Sequence, residues 1–248
     1  MMNAAAGIFL AARRKPRPPD VTKSMSAVGG SMEGFMGRNL GTMPVPVTIT
    51  AWYKFTGYYN IALSKSVFKY GNRNNGVGFG IAKQYSPSMW GVPAAVVEGK
   101  YWDYYKRFYS LPTDTSWHYV GIKIISGITS PIKTVIVDGE TLTAEQEDGT
   151  TDINSPSQCF SICGKDNGTA WEAPQVHAYA CRVCVFNGAL SDSDILGDMA
   201  LGGMLPTNTN LIHFYDGTVE NDLLIDKVGN WSLTQTNGSS IVDATPWS

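Results

Sequence analysis

The sequence carries little charge and no strong excess of either sign. Acidic and basic residues make up 16% of the 248 residues, and the net charge is -2. Proteins that bind nucleic acid neutralise phosphates with many lysine and arginine side chains. The one dense basic run here is RRKPR, at residues 13–17. We therefore expect no nucleic-acid partner.

Long hydrophobic runs are also missing. The apolar stretch at residues 4–12 is too short to span a bilayer. Basic residues follow this stretch, whereas in a secretory signal they precede the apolar region. The sequence therefore predicts neither a membrane span nor a cleaved signal peptide.

The N-terminal region predicts an arm rather than part of the domain. A short apolar segment is followed by prolines at residues 16–19, which favour extended chain and do not join a sheet easily. We predict an arm at residues 1–22 that docks on a partner, with a frayed tail as the alternative. The residues expected to make the docking contacts are Ile8, Phe9, Leu10, Arg13, Arg14 and Arg17.

Helical periodicity is absent over most of the chain, and strand patterns replace it. In VTITAWYKF, residues 47–55, one face of the alternation carries Val, Ile, Ala, Tyr and Phe. Asp138-Gly139 separates two β-rich runs and predicts a tight hairpin, because both turn positions tolerate positive φ. Many short strands with frequent turns predict an all-β fold, a two-sheet antiparallel β-sandwich or jelly roll, over residues 23–248.

Cysteine is too scarce for a disulfide-rich scaffold. In CRVCVF, strict alternation predicts that Cys181 and Cys184 point to opposite faces, which argues against a zinc knuckle. Cys159 and Cys163 also lie in a strand-like run. A four-cysteine zinc site and a cross-strand disulfide remain alternatives, but four reduced core cysteines are favoured. Reduced thiols predict maturation in a reducing compartment.

One short helix is predicted after the cysteine-containing strand. NGAL turns the chain, and Ser191 followed three residues later by Asp194 forms a capping pattern. Gly202 and Gly203 then end the helical segment. We place this helix near residues 191–201.

The order of the strand motifs resembles the laminin-G-like, concanavalin A-like lectin/glucanase family over roughly residues 23–247. This resemblance implies a jelly-roll domain. Where the family often has Asp-Glu before the last hydrophobic strand, this chain has Cys181-Arg182. The calcium or polar contact that the family places there is therefore not carried over. The motifs are ITAWYKF (49–55), WHYVGIKI (117–124), VIVDGE (135–140), FSICG (160–164), CRVCVFNGALSDSDI (181–195) and LIHFYDG (211–217).

The carboxylates expected of a catalytic member of that family are missing. Its hydrolytic members place closely spaced acids on one strand, so that an acid and a nucleophile flank one glycosidic bond. No Glu-x-Asp-x-x-Glu run occurs here. His118, His177 and His213 each stand alone, and a packed, hydrogen-bonded role is expected for each. We predict that the chain is not an enzyme.

Calcium also has candidate ligands in the sequence, because lectin-like sandwiches often hold the ion on loop carboxylates. Asp148 and Asp152 form one candidate pair, and Asp222 and Asp226 the other. Solvated turn acids are the favoured interpretation of both pairs.

An aromatic run offers a candidate carbohydrate site. Between Tyr101 and Tyr109 aromatic residues occupy both faces of any strand, so one set is available to stack on sugar rings. The alternatives are core packing, cross-strand aromatic pairs or a subunit interface. The candidate carbohydrate-binding residues are Trp90, Trp102, Asp103, Tyr104, Tyr105 and Arg107.

Three classes of function follow from these observations. The favoured hypothesis is a non-catalytic, lectin-like virion protein that is made in a reducing cytoplasm and released by host lysis. It would serve in capsid decoration or in tail or fibre adhesion. Its expected partners are other virion proteins, further copies of the chain in a homo-oligomer, and a host-surface glycan. The alternatives are a free carbohydrate-binding module and, disfavoured by the missing acids, a glycoside hydrolase.

Overall fold

The computed structural model describes fifteen segments of the chain, and these form twenty strands and one helix. The described residues are 21–27, 34–41, 43–57, 65–71, 76–83, 93–98, 106–110, 115–125, 132–142, 146–148, 159–163, 165–166, 171–172, 177–236 and 239–247. The elements are β1 (Ser24–Ala27), β2 (Phe35–Arg38), β3 (Val47–Gly57), β4 (Lys65–Gly71), β5 (Gly76–Lys83), β6 (Pro93–Glu98), β7 (Lys106–Ser110), β8 (Trp117–Ile124), β9 (Ile132–Val137), β10 (Glu140–Leu142), β11 (Gln146–Asp148), β12 (Cys159–Ile162), β13 (Lys165–Asp166), β14 (Trp171–Glu172), β15 (His177–Asn187), α1 (Asp192–Ala200), β16 (Leu211–Tyr215), β17 (Val219–Glu220), β18 (Leu223–Leu224), β19 (Leu233–Gln235) and β20 (Ser239–Val242).

Two antiparallel sheets dominate this part of the chain. Sheet A has the strand order β10-β9-β8-β3-β15-β1-β20, with β16 also paired to β15. Sheet B has the order β11-β7-β6-β5-β4-β12-β2-β19-β18-β17, and β13 and β14 form a separate two-stranded pair. The strand pairs of both sheets are antiparallel, and the predicted two-sheet antiparallel sandwich is confirmed.

A hydrophobic interior fills the space between the two sheets. The alternation predicted for β3 is confirmed, because Val47, Ile49, Ala51 and Tyr53 are all fully buried in this interior. Because burying apolar side chains is the main favourable term in folding, this shared interior holds the layers together. Other strands contribute Phe68, Tyr70, Val120, Ile122, Ile124, Phe160, Ile162, Val183 and Val185.

The helix covers the outer face of sheet A and buries a second hydrophobic cluster there. Ile195 of α1 is fully buried in this cluster, together with Tyr119 and Phe186 of the sheet. Gly121 of β8 makes the close contact possible, since a Cβ atom at that position would lie 2.5 Å from Cγ2 of Ile195. We call this layer the helix-covered cluster.

The ends of α1 follow the sequence signals. The Ser191 side chain accepts a hydrogen bond from the N–H of Asp194, and the Asp194 carboxylate accepts one from the Ser191 N–H, which completes a capping box. Gly202 has φ +58°, a left-handed conformation that ends a helix at low cost for glycine. The predicted helix is therefore confirmed.

The predicted hairpin is confirmed as well. Val137 of β9 pairs with Glu140 of β10 across a two-residue turn. Asp138 and Gly139 in that turn have φ values of +51° and +90°, as the turn type requires.

The first described residues and the last ones meet beside the end of α1. The Val21 N–H donates to the Gly203 carbonyl at 2.9 Å, and the Val21 side chain is fully buried in the helix-covered cluster. Trp247 packs against the same cluster, with its ring edge-on to Trp52 at a centroid distance of 5.8 Å. The chain therefore enters and leaves the described fold at one corner.

The strict alternation predicted for CRVCVF is wrong. Arg182 has φ +49°, and the pairing of β15 with β3 shifts between Cys181 and Cys184. This β-bulge adds a residue to the strand, so both cysteines lie in the helix-covered cluster while Val183 faces the interior between the sheets. A run rich in valine gave no signal for the bulge.

The bulge places Arg182 where it forms a buried ion pair with Asp198 of α1. The Arg182 guanidinium lies under α1 and donates from Nη1 to Oδ2 of Asp198 at 2.9 Å and from Nη2 to Oδ1 at 2.7 Å. Arg182 is fully buried and Asp198 is 5% exposed. The Arg182 Nε also donates to the Met204 carbonyl at 2.8 Å, which ties the segment after the helix to the same side chain.

Two neutral donors complete the set of bonds to the Asp198 carboxylate. Oδ2 accepts a hydrogen bond from the Thr50 hydroxyl at 2.9 Å and one from the Tyr119 hydroxyl at 2.8 Å. Burial acts to lower the pKa of Arg182, but the hydrogen-bonded carboxylate of Asp198 acts in the opposite direction, and the guanidinium stays charged. A buried charge of this kind is tolerated only when it is paired and hydrogen-bonded.

All four cysteines are free thiols in the structure. Cys163, Cys181 and Cys184 are buried, whereas Cys159 is only half-buried. Burial raises the pKa of Cys163 and of Cys184 to about 12, and it also raises the pKa of Cys181. The three buried thiols are therefore poor nucleophiles in the folded protein.

Replacing Arg182 with methionine is expected to lower the free energy of unfolding by about 3–5 kcal/mol, because it leaves the Asp198 charge buried without its partner. The measurement is urea denaturation followed by tryptophan fluorescence. The double variant Arg182→Met/Asp198→Leu should lose much less than the sum of the two single variants. Additive losses would show that the two residues act independently.

Iodoacetamide at pH 8 is expected to modify the native protein quickly at Cys159 alone, and to modify four thiols in urea. Buried thiols with raised pKa values lack both thiolate character and access to the reagent. Mass spectrometry of the peptides gives the sites and rates. Fast native modification of Cys181 or Cys184 would contradict the burial of these thiols beneath α1.

Candidate functional site

A groove lies between α1 and the segment at residues 205–208, with a volume of about 320 Å³. One wall is a face of the helix, and the other is the irregular chain that leads from the helix back to β16. The lining residues are Ser193, Asp194, Gly197, Asp198, Leu201, Pro206, Thr207 and Asn208.

The buried ion pair fixes the position of the groove. Asp198 is both a lining residue and the partner of Arg182, so the helix face is tied to β15 from beneath. Met204, whose carbonyl accepts from Arg182, directly precedes the opposite wall. One side chain therefore contacts the helix wall and the residue that leads into the opposite wall.

The lining of the groove offers both apolar and polar contacts. Leu201 and Pro206 offer apolar contact, while Ser193, Thr207 and Asn208 offer hydroxyl and amide groups. The carboxylate of Asp198 is already bonded to groups of the protein. No histidine or cysteine is among the residues that line this groove in the described part of the chain.

A second polar cluster surrounds Asp226, whose side chain is fully buried. His213 Nδ1 lies 2.5 Å from Asp226 Oδ2, and the His213 ring stacks on Trp231 with a centroid distance of 3.8 Å. The Asp226 carboxylate also accepts hydrogen bonds from the N–H groups of Phe214, Val228, Gly229 and Trp231.

These hydrogen bonds determine the charge state of Asp226. Burial acts to raise the pKa of Asp226, but hydrogen bonds from His213 and from three backbone N–H groups outweigh it, so the pKa lies below its usual value. The favoured interpretation of Asp226 as a solvated turn acid is wrong, because the carboxylate is buried and accepts hydrogen bonds from backbone N–H groups of the segment that follows β18. The same bonds occupy both oxygens that a calcium ion would need.

His118 is held in a matching arrangement at the β9–β10 hairpin. Its Nδ1 lies 2.6 Å from Oδ2 of Asp138, and Oδ1 of Asp138 accepts from the N–H of Tyr119 at 2.8 Å. The packed, hydrogen-bonded role predicted for His118 and His213 is confirmed. The side chain of His177 lies outside the described residues.

The other calcium candidates do not form a site in the part of the chain that the structure describes. Asp222 is exposed in a turn with φ +61°, and Asp148 belongs to β11, where it pairs with Lys106. Asp152 lies outside the described residues. Among the described side chains, no group of three or more histidine, cysteine or acidic residues is placed to hold a metal ion.

Most of the predicted carbohydrate-binding residues lie outside the described segments, so they stay predictions. Arg107 is the one whose backbone is described: in β7 it pairs with Val97 of β6 and with Glu147 of β11. The undescribed members are Trp90, Trp102, Asp103, Tyr104 and Tyr105. The docking-arm residues Ile8, Phe9, Leu10, Arg13, Arg14 and Arg17 are also outside the described segments.

The groove and its anchor were not predicted from the sequence. One signal was present: a charged residue, Arg182, interrupts a valine-rich strand. A buried arginine needs an acid, and Asp198 is the buried acid of the helix that follows. The residues on the far wall, Pro206, Thr207 and Asn208, carry no such signal.

No protein-family model matches the sequence. The comparison with curated proteins gives no match either. In the described segments, no helix has the length and apolar character needed to cross a membrane.

Solved structures do resemble the fold. A protein from Bacteroides ovatus ATCC 8483, for which carbohydrate binding has been proposed, superposes with a TM-score of 0.61 at 19% identity. The superposition covers 92% of this chain, and this chain spans 62% of that protein's length.

Two further structures have TM-scores below 0.5, too low to support an argument about this chain. The CBM40 domain of the Ruminococcus gnavus IT-sialidase, solved with α2,3-sialyllactose, has a TM-score of 0.45 at 14% identity, covering 71% of this chain and 97% of that domain. Domains LG4-5 of the mouse laminin α1 chain have a TM-score of 0.43 at 12% identity, covering 66% of this chain and 41% of that structure. In its described segments, which form two antiparallel sheets and one short helix, the chain shares the β-sandwich fold of the Bacteroides ovatus protein.

Proposed function

We propose that this chain is a non-catalytic glycan-binding protein of a virion, attached to the particle by its N-terminal segment. The observation that carries the glycan-binding part is the likeness of its fold, at a TM-score of 0.61, to a protein for which carbohydrate binding has been proposed. The attachment part rests on where the N-terminal segment joins the domain.

The state of the buried acids supports a non-catalytic role. Glycoside hydrolysis needs two carboxyl groups that flank the scissile bond and exchange protons with it. The two buried aspartates that the structure describes, Asp198 and Asp226, are both bonded to groups of the protein itself. Neither oxygen pair is available as the proton donor or nucleophile of a sugar reaction.

The position of β7 supports the aromatic run as the sugar-binding segment. The run from Tyr101 leads directly into β7, which lies one strand from the β11 end of sheet B. Segments at the end of a rigid sheet are suited to recognition, because the scaffold positions them without relying on them for its core. Aromatic rings there can stack on the apolar faces of sugar rings.

The place where the N-terminal segment joins the domain supports attachment. Val21 is fully buried, and its N–H is bonded to the Gly203 carbonyl. The point at which the N-terminal segment joins the described fold is therefore fixed. The predicted arm boundary at residue 22 stays a prediction. Val21, which lies within the predicted arm, belongs to the helix-covered cluster.

Glycan binding is tested by comparing the full chain with Trp102→Ala and Trp102→Phe on a glycan array. We expect Trp102→Ala to weaken binding about 2- to 13-fold, because one stacking contact contributes on the order of 0.5–1.5 kcal/mol. Trp102→Phe keeps an aromatic face and should retain most of the signal.

The matched control for this test is Trp117→Ala, which removes a tryptophan that packs against the helix-covered cluster. Loss of signal in both alanine variants, with a lowered melting temperature in each, would point to general destabilisation. An intact wild-type protein that binds no glycan on the array would contradict the glycan-binding proposal.

Attachment is tested by deleting residues 1–20 and measuring incorporation of the protein into assembled particles. We expect the shortened chain to keep the melting temperature within about 2 °C, since Val21 is retained, and to be lost from the particles. The triple variant Arg13→Ala/Arg14→Ala/Arg17→Ala removes three positive charges but keeps the length of the segment, so it shows whether attachment needs the charges. Normal incorporation of the deletion variant would show that another surface makes the attachment.

A further inference from the structure

Sheet A has a second aromatic row next to the part that α1 covers. Trp52, Tyr119 and Cys181 lie opposite one another on β3, β8 and β15, and all three belong to the helix-covered cluster or pack against it. Because side chains alternate along a strand, residues two positions away point to the same face of the sheet. On these three strands they are Lys54, Trp117 and Tyr179.

The strand register places these three residues side by side. Lys54 lies directly opposite Trp117 on β8 and directly opposite Tyr179 on β15. Residues two strands apart are separated by about 10 Å at the backbone, yet the rings of Trp117 and Tyr179 have a centroid distance of 6.2 Å and an interplanar angle of 33°. The two rings therefore lean toward each other across Lys54. We call Lys54, Trp117 and Tyr179 the aromatic platform.

Part of each platform side chain reaches the surface. All three are half-buried, whereas Tyr119 in the adjoining row is fully buried beneath α1. A Cβ atom at Gly202, just after α1, would lie 2.9 Å from Nε1 of Trp247, and the Trp247 ring packs edge-on to Trp52. The helix side of the fold thus covers the row of Tyr119 and Trp52, and the platform lies one row further along the strands.

The platform carries a positive charge. Its row continues across β1 and β20 with Ser26 and Ser240, so Lys54 is the one charged residue among the five members of the row. In the described part of the chain, no acid forms an ion pair with Lys54. An ammonium group beside two aromatic rings can pair with the carboxylate of a ligand while the rings contact an apolar face of the same ligand.

A sugar that carries a carboxylate group has both of these features. The C–H groups on one face of its ring contact the aromatic side chains, and its negative charge complements Lys54. Tyrosine and tryptophan also lose little conformational entropy on binding, because each side chain has only two rotatable angles.

We propose that the aromatic platform is a second sugar-binding site, in addition to the segment that leads into β7, and that it favours sugars with a carboxylate group. This inference rests on the proposed glycan binding and adds the class of sugar that is bound.

Acidic and neutral forms of related oligosaccharides test the proposal. The probes are tetragalacturonic acid with its methyl ester and sialyllactose with lactose, each titrated into the full chain by isothermal titration calorimetry. We expect the wild type to bind the acidic member of at least one pair about two- to fivefold more tightly, which is the range of a solvent-exposed ion pair. Salt at about 1 M should remove this preference by screening the charges.

Lys54→Met is the variant that isolates the charge. It keeps the aliphatic part of the side chain, so we expect the preference for the acidic member to disappear while binding of the neutral member is unchanged. Lys54→Arg keeps the positive charge and is the matched control, which should retain the preference.

Tyr179→Ala tests the aromatic part of the platform. We expect it to weaken binding of the acidic member about 2- to 13-fold by loss of one stacking contact. Tyr179→Phe keeps the ring and should bind like the wild type. Trp117 is left unchanged in this test, because it also packs against the helix-covered cluster.

The outcomes separate this site from the proposed function. A preference for acidic sugars that survives in Lys54→Met, or equal affinities of Tyr179→Ala and the wild type, would overturn the platform and leave glycan binding elsewhere on the chain in place. Equal binding of both members of each pair by the wild type would overturn it in the same way. A wild type that binds no glycan at all would contradict the proposed function and this site with it.

Discussion

The pairing of Arg182 with Asp198 is the constraint on which the helix side of this fold depends. A guanidinium buried beneath a helix is stable only if its charge is neutralised and its N–H groups are bonded. Arg182 meets these conditions by binding both oxygens of Asp198 and the Met204 carbonyl. This one side chain thus links the bulge in β15, the helix α1 and the chain that follows the helix.

Two other aspartates, Asp138 and Asp226, make the same pair of hydrogen bonds. Asp138 and Asp226 each bind the Nδ1 of a histidine through one carboxylate oxygen. The other oxygen accepts a hydrogen bond from the N–H of the residue that follows this histidine in the chain. Each pair joins a strand to a nearby turn of the same sandwich. In the sequence these two aspartates look like solvent-exposed turn residues, but in the structure their hydrogen bonds connect a strand to a turn. The catalytic and metal-binding interpretations therefore have no support at these two positions.

The sequence predicts the features of this fold that depend on local preferences. The alternation in β3, the Asp138-Gly139 hairpin and the Ser191 cap each come from residues close together in the chain, and the structure has all three. The bulge at Arg182 depends on an acid 16 residues away, on the helix that packs over the sheet. The groove is harder still to predict, because its two walls come from a helix and a loop whose separation is set by that buried pair.

The meeting of Val21 and Trp247 at Gly202 and Gly203 has a consequence for larger assemblies. Any sequence attached before the first of these residues or after the second leaves the sandwich from one corner. A tether at either end therefore holds the domain at that corner. The geometry also makes the two ends natural points to join, so that new termini can be opened in a turn elsewhere while both sheets of the sandwich are kept.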